Sequence, residues 1–204
     1  KAEFFLEDIP KKDFGDICHL DLETSGLVPE EGDILVVNIG YNPREDGFFR
    51  ESIVCKVKGD VCPPNVKELL LGSTIKIIHN ACFDATWIKK KWGITVKNLR
   101  CTKVLARFLK KSNNSYAKLT KRITGLELPK GNISCSPWQL PFDEWSPDMK
   151  TYCSYDVAFG LQILNYLQSL VTEEVTEKYL TLMNEWSLIQ EVLTKVDSKD
   201  LQYL

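Results

Sequence analysis

The chain has 204 residues, 44% hydrophobic and 26% charged, with a net charge of −2. That is ordinary for a soluble globular protein and enough for one domain of ~150–200 residues with a sizeable core. No apolar run approaches the ~20 residues of a membrane span, and Lys1–Glu7 turns charged too soon for a signal peptide, so a membrane protein is excluded and an intracellular one expected. A start at Lys1 rather than Met fits a processed product or a piece of something longer. The seven cysteines (18, 55, 62, 82, 101, 135, 153) are odd in number and hold no C-x-x-C pair. That argues against a zinc site and for reduced thiols, which makes the sequons at Asn113 and Asn132 chance matches.

In chain order, residues 17–21 read as a buried strand, followed by strands at 33–40, 52–57 and 75–78. Leu99–Thr102 reads as a short fifth strand. Gly32, Asn42-Pro43 and Asp46-Gly47 punctuate the turns, so the first three strands form a meander. Helices are expected at 65–71, 81–91, 102–111, 115–124, 148–169 and 172–195. The five prolines and glycines within 129–147 mark a loop. Strands first and alternating elements later imply an α/β fold, a mixed five-stranded sheet with helices on its faces. The last helix carries Val175, Tyr179, Met183, Trp186 and Leu193 at helical spacing. Its apolar stripe packs on its own domain or docks on a following one.

Charge is unevenly spread. Residues 85–130 hold 13 Lys/Arg and one acid, Glu127; the remainder holds 13 Lys/Arg and 27 acids. Taken alone, such a block is either a solvated helical surface or a phosphate-binding one. Beside an acidic site it suits a polyanion.

Three acidic patches follow in order: Asp21-Leu-Glu23, Asn80 to Asp84, and Tyr152 to Asp156. Asp21 and Glu23, two apart on a strand, share a face at its C-terminal end. A calcium loop starting at Asp21 fails, because its twelfth position is Gly32. Asp84 falls in the first turn of a helix that Asn80 is placed to cap, where an acid is also favoured by the helix dipole. Tyr152 and Asp156, four apart on a helix, share one face. Carboxylates gathered in one cleft repel unless cations neutralise them, and four of them suit a two-metal phosphodiester-cleaving site.

LDLETSGL, HNACFDATWI and YCSYDVAFGLQIL resemble, in this order, the DEDD superfamily of 3′→5′ exonucleases. The Tyr-x-x-x-Asp spacing resembles its tyrosine branch, to which the proofreading domain of family A DNA polymerases and ribonuclease D belong. Ser115–Lys130 and Ser136-Pro-Trp138 are similar to further stretches of these proteins, and the likeness covers about residues 15–168. Cys101-Thr102 stands where relatives often carry Asp-Thr. The Met-Glu-x-x-Gly stretch that usually follows the polymerase domain is not found in 170–204.

The resemblance implies a ribonuclease-H-like exonuclease domain over 1–170, with an amphipathic helical extension over 171–204. It implies two Mg²⁺ ions, replaceable by Mn²⁺. Asp21 would bridge both, Glu23 and Asp156 would complete the first, and Asp84 would hold the second through water. Tyr152 would orient the attacking water, and products would be nucleoside 5′-monophosphates. Leu27 matches the position that wedges against the terminal base, with Thr24 and Asn80 as secondary contacts. Lys103, Arg107, Lys118, Lys121, Arg122 and Lys130 are candidates for backbone phosphates. Trp138, Phe142 and Trp145 either stack on bases or anchor the loop, with Trp138 taken as a substrate contact. His19 and His79 read as structural.

The function so implied is hydrolysis from the 3′ end of single-stranded nucleic acid, DNA favoured over RNA. The chain would be freestanding or work beside a polymerase domain or replication partner. Alternatives are ribonuclease-D-like trimming of RNA, and a catalytically silent nucleic-acid-binding module, against which the intact acids and Tyr152 argue.

Overall fold

Runs of β-branched residues between Gly, Pro and Asn turns set the sheet. The computed structural model describes residues 1–58, 60–110, 114–128, 136–193 and 195. Its strands are β1 (Ala2–Leu6), β2 (Ile17–Thr24), β3 (Ile34–Pro43), β4 (Phe49–Lys56), β5 (Ile75–Ile78) and β6 (Leu99–Cys101). The helices are α1 (Pro64–Leu71), α2 (Ala81–Trp92), α3 (Thr102–Phe108), α4 (Tyr116–Thr124), α5 (Pro147–Asp156), α6 (Gly160–Gln168), α7 (Glu173–Asn184) and α8 (Trp186–Leu193). The sheet runs β1-β4-β3-β2-β5-β6. β2, β3 and β4 form the expected antiparallel meander, and β1, β5 and β6 join in parallel.

The sheet is mixed, as expected, but has six strands rather than five. β1 is five residues long, and its register partner runs from Ser52 to Lys56 on β4. No tight turn joins the two, so no local pattern announces the pairing. The expected helix 148–169 is two helices. Val157 (φ −115°, ψ 5°) and Phe159 (φ −110°, ψ 3°) leave helical geometry between them. The expected helix 172–195 also divides, at Glu185, so the single C-terminal helix is a pair.

Alternation along the strands assigns each face. One side holds the principal core, built on Leu20, Leu22, Val37, Ile39 and Ile53 with helices over it. On the other, Val36 and Val54 pack with Trp138, Trp145, Met149 and Cys153, and Phe4 and Tyr152 join them. Asp21, Glu23 and Asn38 share that second face, because Asp21 pairs with Asn38 and Asn38 with Val54. The stretch 136–147 contains two 3-10 turns, Ser136–Gln139 and Phe142–Glu144. It is pinned where Lys56 Nζ donates to the Gln139 carbonyl at 3.1 Å and Trp145 Nε1 to that of Leu140 at 2.8 Å.

The stripe on the last two helices is seated on this same domain. Tyr179, Met183 and Trp186 are buried in the principal core. Tyr179 donates to the Cys101 carbonyl at 3.3 Å, and Gln190 donates to that of Ala85 at 3.0 Å while accepting the Val96 amide at 3.2 Å. The cysteines at 18, 55, 62, 82, 101 and 153 are free thiols. Among the described residues no helix is long and apolar enough to cross a membrane.

Candidate active site

β2 outruns its parallel neighbour. β5 pairs only with Ile17 to His19, whereas β2 continues to Thr24. The Leu22 amide, without a strand partner on that side, donates instead to Asp84 Oδ1 at 3.1 Å. Asp84 enters from the first turn of α2 and is buried. One acid therefore completes the sheet edge and stands beside the other acids.

Asp21 and Glu23 project from β2 towards α5, whose last residue is Asp156. Ligand oxygens of Asp21, Glu23 and Asp156 all lie within 4.8 Å of one another, close enough to hold one metal ion. Burial first, opposed by Asn38, pushes the Asp21 carboxyl up to about 7. Burial and then the Asp21 charge hold Asp84 and Asp156 well above the usual carboxylate range. Tyr152, one helical turn before Asp156, lies beside the Asp156 carboxylate; burial and the surrounding acids raise its phenol. A crowded donor set of hard oxygens fits a hard divalent cation, whose charge would offset their repulsion.

Asn38 is a member of this group that no sequence motif marks. It is fully buried, and its Nδ2 donates to Asp21 Oδ2 at 3.4 Å and to Glu23 Oε1 at 3.5 Å. The signal was an amide inside the apolar run Ile34–Ile39.

The remaining candidates divide. Leu27 is 60% exposed beyond β2. The Thr24 hydroxyl donates to the Gly26 carbonyl at 2.6 Å. Asn80 does not cap α2 with its side chain. It adopts the left-handed region (φ 68°) and its Oδ1 accepts from Lys103 Nζ at 3.0 Å. Trp138 is only 3% exposed and packs between Tyr152 and Trp145, ring centroids 5.9 and 5.0 Å away. It supports Tyr152 from behind and presents no open face for stacking; Trp145 is equally buried. Part of the basic block is already paired: Lys89 with Glu191, Lys90 with Glu30, Lys91 with Asp33 and Asp60, and Lys121 with Glu127. Arg122 is exposed on α4, and Lys130 lies outside the described residues.

His19 is buried, His79 is partly buried, and both are held neutral. Burial lowers His19 to about 3 and His79 to about 4, with the neighbouring His79 and Lys103 charges adding to the respective shifts. His79 Nδ1 lies 2.8 Å from Thr102 Oγ1.

A family model described as 3′-5′ exonuclease matches residues 5–172. The chain belongs to the 3′-5′ exonuclease family. None of the curated proteins matches this exonuclease. Among solved structures it is similar to Brucella melitensis NrnC with bound Mg²⁺, at 21% identity and a TM-score of 0.78 over 94% of this chain and 92% of that one. The same protein bound to pGG gives 0.79 over the same shares, again at 21%. Escherichia coli RNase D, an exoribonuclease involved in structured RNA processing, is 17% identical, with a TM-score of 0.68 over 89% of this chain and 46% of that one. The catalytic core of RRP6 from Trypanosoma brucei is 18% identical, with a TM-score of 0.67 over 86% and 46%. At these identities the likeness is one of fold, and it agrees with the ribonuclease-H-like architecture that the motifs imply.

Proposed function

We propose that this exonuclease removes nucleoside 5′-monophosphates one at a time from the 3′ end of single-stranded DNA, using two Mg²⁺ ions. The observation that carries the reading is the convergence of Asp21, Glu23 and Asp156 to within 4.8 Å, with Tyr152 on Asp156. Asp21, Glu23 and Asp156 would hold one ion, and Asp84 with Asp21 the other. Divalent cations supply the positive charge that makes a water acidic enough to attack phosphorus and that offsets charge on the departing 3′ oxygen. Mn²⁺, also an oxygen-site cation, is expected to substitute.

The chain's own groups do the positioning. The Tyr152 hydroxyl, aimed by Asp156 and backed by Trp138, orients the attacking water. Leu27 separates the terminal base from its neighbour. Lys103, Arg122 and Lys121 meet backbone phosphates, Lys121 by exchanging its Glu127 partner, and Thr24 and Asn80 are secondary contacts. The unit so described is residues 1–170, with 171–204 as its helical extension, whether freestanding or beside a polymerase.

DNA is favoured by the likeness of LDLETSGL and of residues 75–88 to polymerase proofreading domains. A second reading, trimming of RNA 3′ ends, is favoured by the similarity to RNase D. Matched 5′-labelled DNA and RNA strands, mixed in one reaction with Mg²⁺, separate the two. Faster shortening of DNA supports the first, and faster shortening of RNA replaces it with the second.

A further inference from the structure

Tyr116, on α4, is built into the backbone on both sides of Asp156. Its hydroxyl donates to the Tyr155 carbonyl at 3.0 Å and accepts the Phe159 amide at 2.9 Å. The Tyr155 carbonyl also accepts the Ala158 amide at 3.2 Å. The phenol thus closes the break between α5 and α6, where helical hydrogen bonds are lost and a buried amide left alone would cost ~1–3 kcal/mol.

The ring of Tyr116 reaches the other two acid-bearing segments. It lies against His19 and His79, with centroids 5.5 and 5.6 Å away. His19 precedes Asp21 by two residues on the same face of β2 and is fully buried, and its register partner Gly40 lies directly under the Val157 carbonyl. Gly160 presses on the His19 ring: a Cβ there would stand 2.5 Å from its Nδ1. His79 follows β5 and opens the turn into α2, which carries Asp84. One side chain therefore touches all three segments that deliver carboxylates.

We propose that Tyr116 is a positioning residue. It holds backbone 155–159 against the sheet, so that the Asp156 carboxylate meets those of Asp21 and Glu23 at cation-binding distance despite their mutual repulsion. This rests on reading those carboxylates as a cation site, where ligands must be held within ~0.5 Å of the productive geometry. The ring packing would survive Tyr116→Phe, but the hydroxyl bridge would not.

The test is Mg²⁺ titration of the metal-free protein by calorimetry, on the parent, Asp156→Asn, Tyr116→Phe and Tyr179→Phe. Tyr179 is a buried tyrosine whose hydroxyl bonds the Cys101 carbonyl, away from Asp156, and it controls for general loosening. If the parent binds no Mg²⁺, or Asp156→Asn binds it as the parent does, the cation-site reading fails and the inference with it. If the parent binds Mg²⁺ and Asp156→Asn does not, Tyr116 decides: Tyr116→Phe is expected to bind Mg²⁺ ~10-fold more weakly, in the range seen when partners behind a ligand are removed, with Tyr179→Phe unchanged. Parent-like binding by Tyr116→Phe, or an equal loss in Tyr179→Phe, would overturn the proposal. Hydrogen exchange on the parent covers the case in which Tyr116→Phe does not fold. Linkage requires Mg²⁺ to slow exchange of the Phe159 amide, and an unchanged rate would contradict the role.

Discussion

The Val157 carbonyl oxygen occupies space above Gly40 that no other residue could share: a Cβ on Gly40 would lie 2.1 Å from it. Gly40 is also the register partner of His19, so the break after Asp156 sits directly on the β2–β3 ladder. Gly40→Ala must lift that backbone, and backbone yields less readily than a side-chain end. Overpacking of this kind costs about 1–3 kcal/mol. The melting temperature is expected to fall by several degrees and the exonuclease rate to fall with it. Thermal melts and a rate assay check both, and an unperturbed Gly40→Ala protein would show that α5 and α6 are not seated this closely.

Asp156→Asn should stabilise the metal-free protein. Asp21, Asp84 and Asp156 are all raised in the folded chain. Between the ordinary carboxylate range near ~4 and the raised value of about 7 for Asp21, the folded chain holds protons that the unfolded chain has released. Their contribution to stability therefore falls as pH rises through that window. Above that window the Asp21 penalty is present, and removing a neighbouring acid should recover ~1–2 kcal/mol. Melts in EDTA should show Asp156→Asn above the parent, and Mg²⁺ should raise the parent but not the variant. A variant less stable than the parent in EDTA would contradict the crowding of these acids.

The histidines act with the opposite sign. His79 stays neutral in the folded chain down to about 4, whereas an unfolded histidine takes a proton near ~6.5. Its contribution is fully present above the unfolded value and is lost as pH falls towards the folded one. His79→Asn removes this dependence and leaves that of the carboxylates in place. Urea melts in EDTA should show the variant losing less stability than the parent between these limits, by at most ~1.4 kcal/mol per pH unit. Parallel curves would mean that His79 is not held neutral.

How far the sequence carried the fold and the site depends on whether the information was local. Asp21, Glu23, Asp84, Tyr152 and Asp156 announced themselves because each stands in a short motif at fixed spacing within one element. The meander was legible because Gly32, Asn42-Pro43 and Asp46-Gly47 sit between consecutive strands. β1 was not, since its pairing with β4 is decided by residues about fifty positions away. The break at 157–159 was hidden because Val157, Ala158 and Phe159 continue the apolar pattern while the backbone turns. Asn80 had the residue type of a cap, but its left-handed backbone and its bond to Lys103 are tertiary facts. An aromatic in a Pro-rich loop either stacks on bases or anchors the loop, and the second core beneath Tyr152 claims Trp138.

Asn38 shows in the sequence only as an amide in an apolar run, since the register of β2 on β3 is what places it opposite Asp21. It offers two neighbouring carboxylates a donor and opposes the rise of Asp21. Asn38→Leu keeps the volume and removes the amide. Loss of a partner that supports metal ligands typically costs ~10–100-fold in metal affinity. The Mg²⁺ concentration giving half-maximal rate is expected to rise by about 10-fold, with most of the rate recovered in excess Mg²⁺. An unchanged Mg²⁺ midpoint would reduce Asn38 to a buried packing residue.

The most direct test of the carboxylate site as the seat of hydrolysis is a gel assay on single strands labelled at the 5′ end, with Mg²⁺, with EDTA, and with Asp21→Ala. A descending ladder that needs both Mg²⁺ and Asp21 is the expected result. A ladder that persists in Asp21→Ala, or strands left intact by the parent in Mg²⁺ while binding is retained, would contradict it.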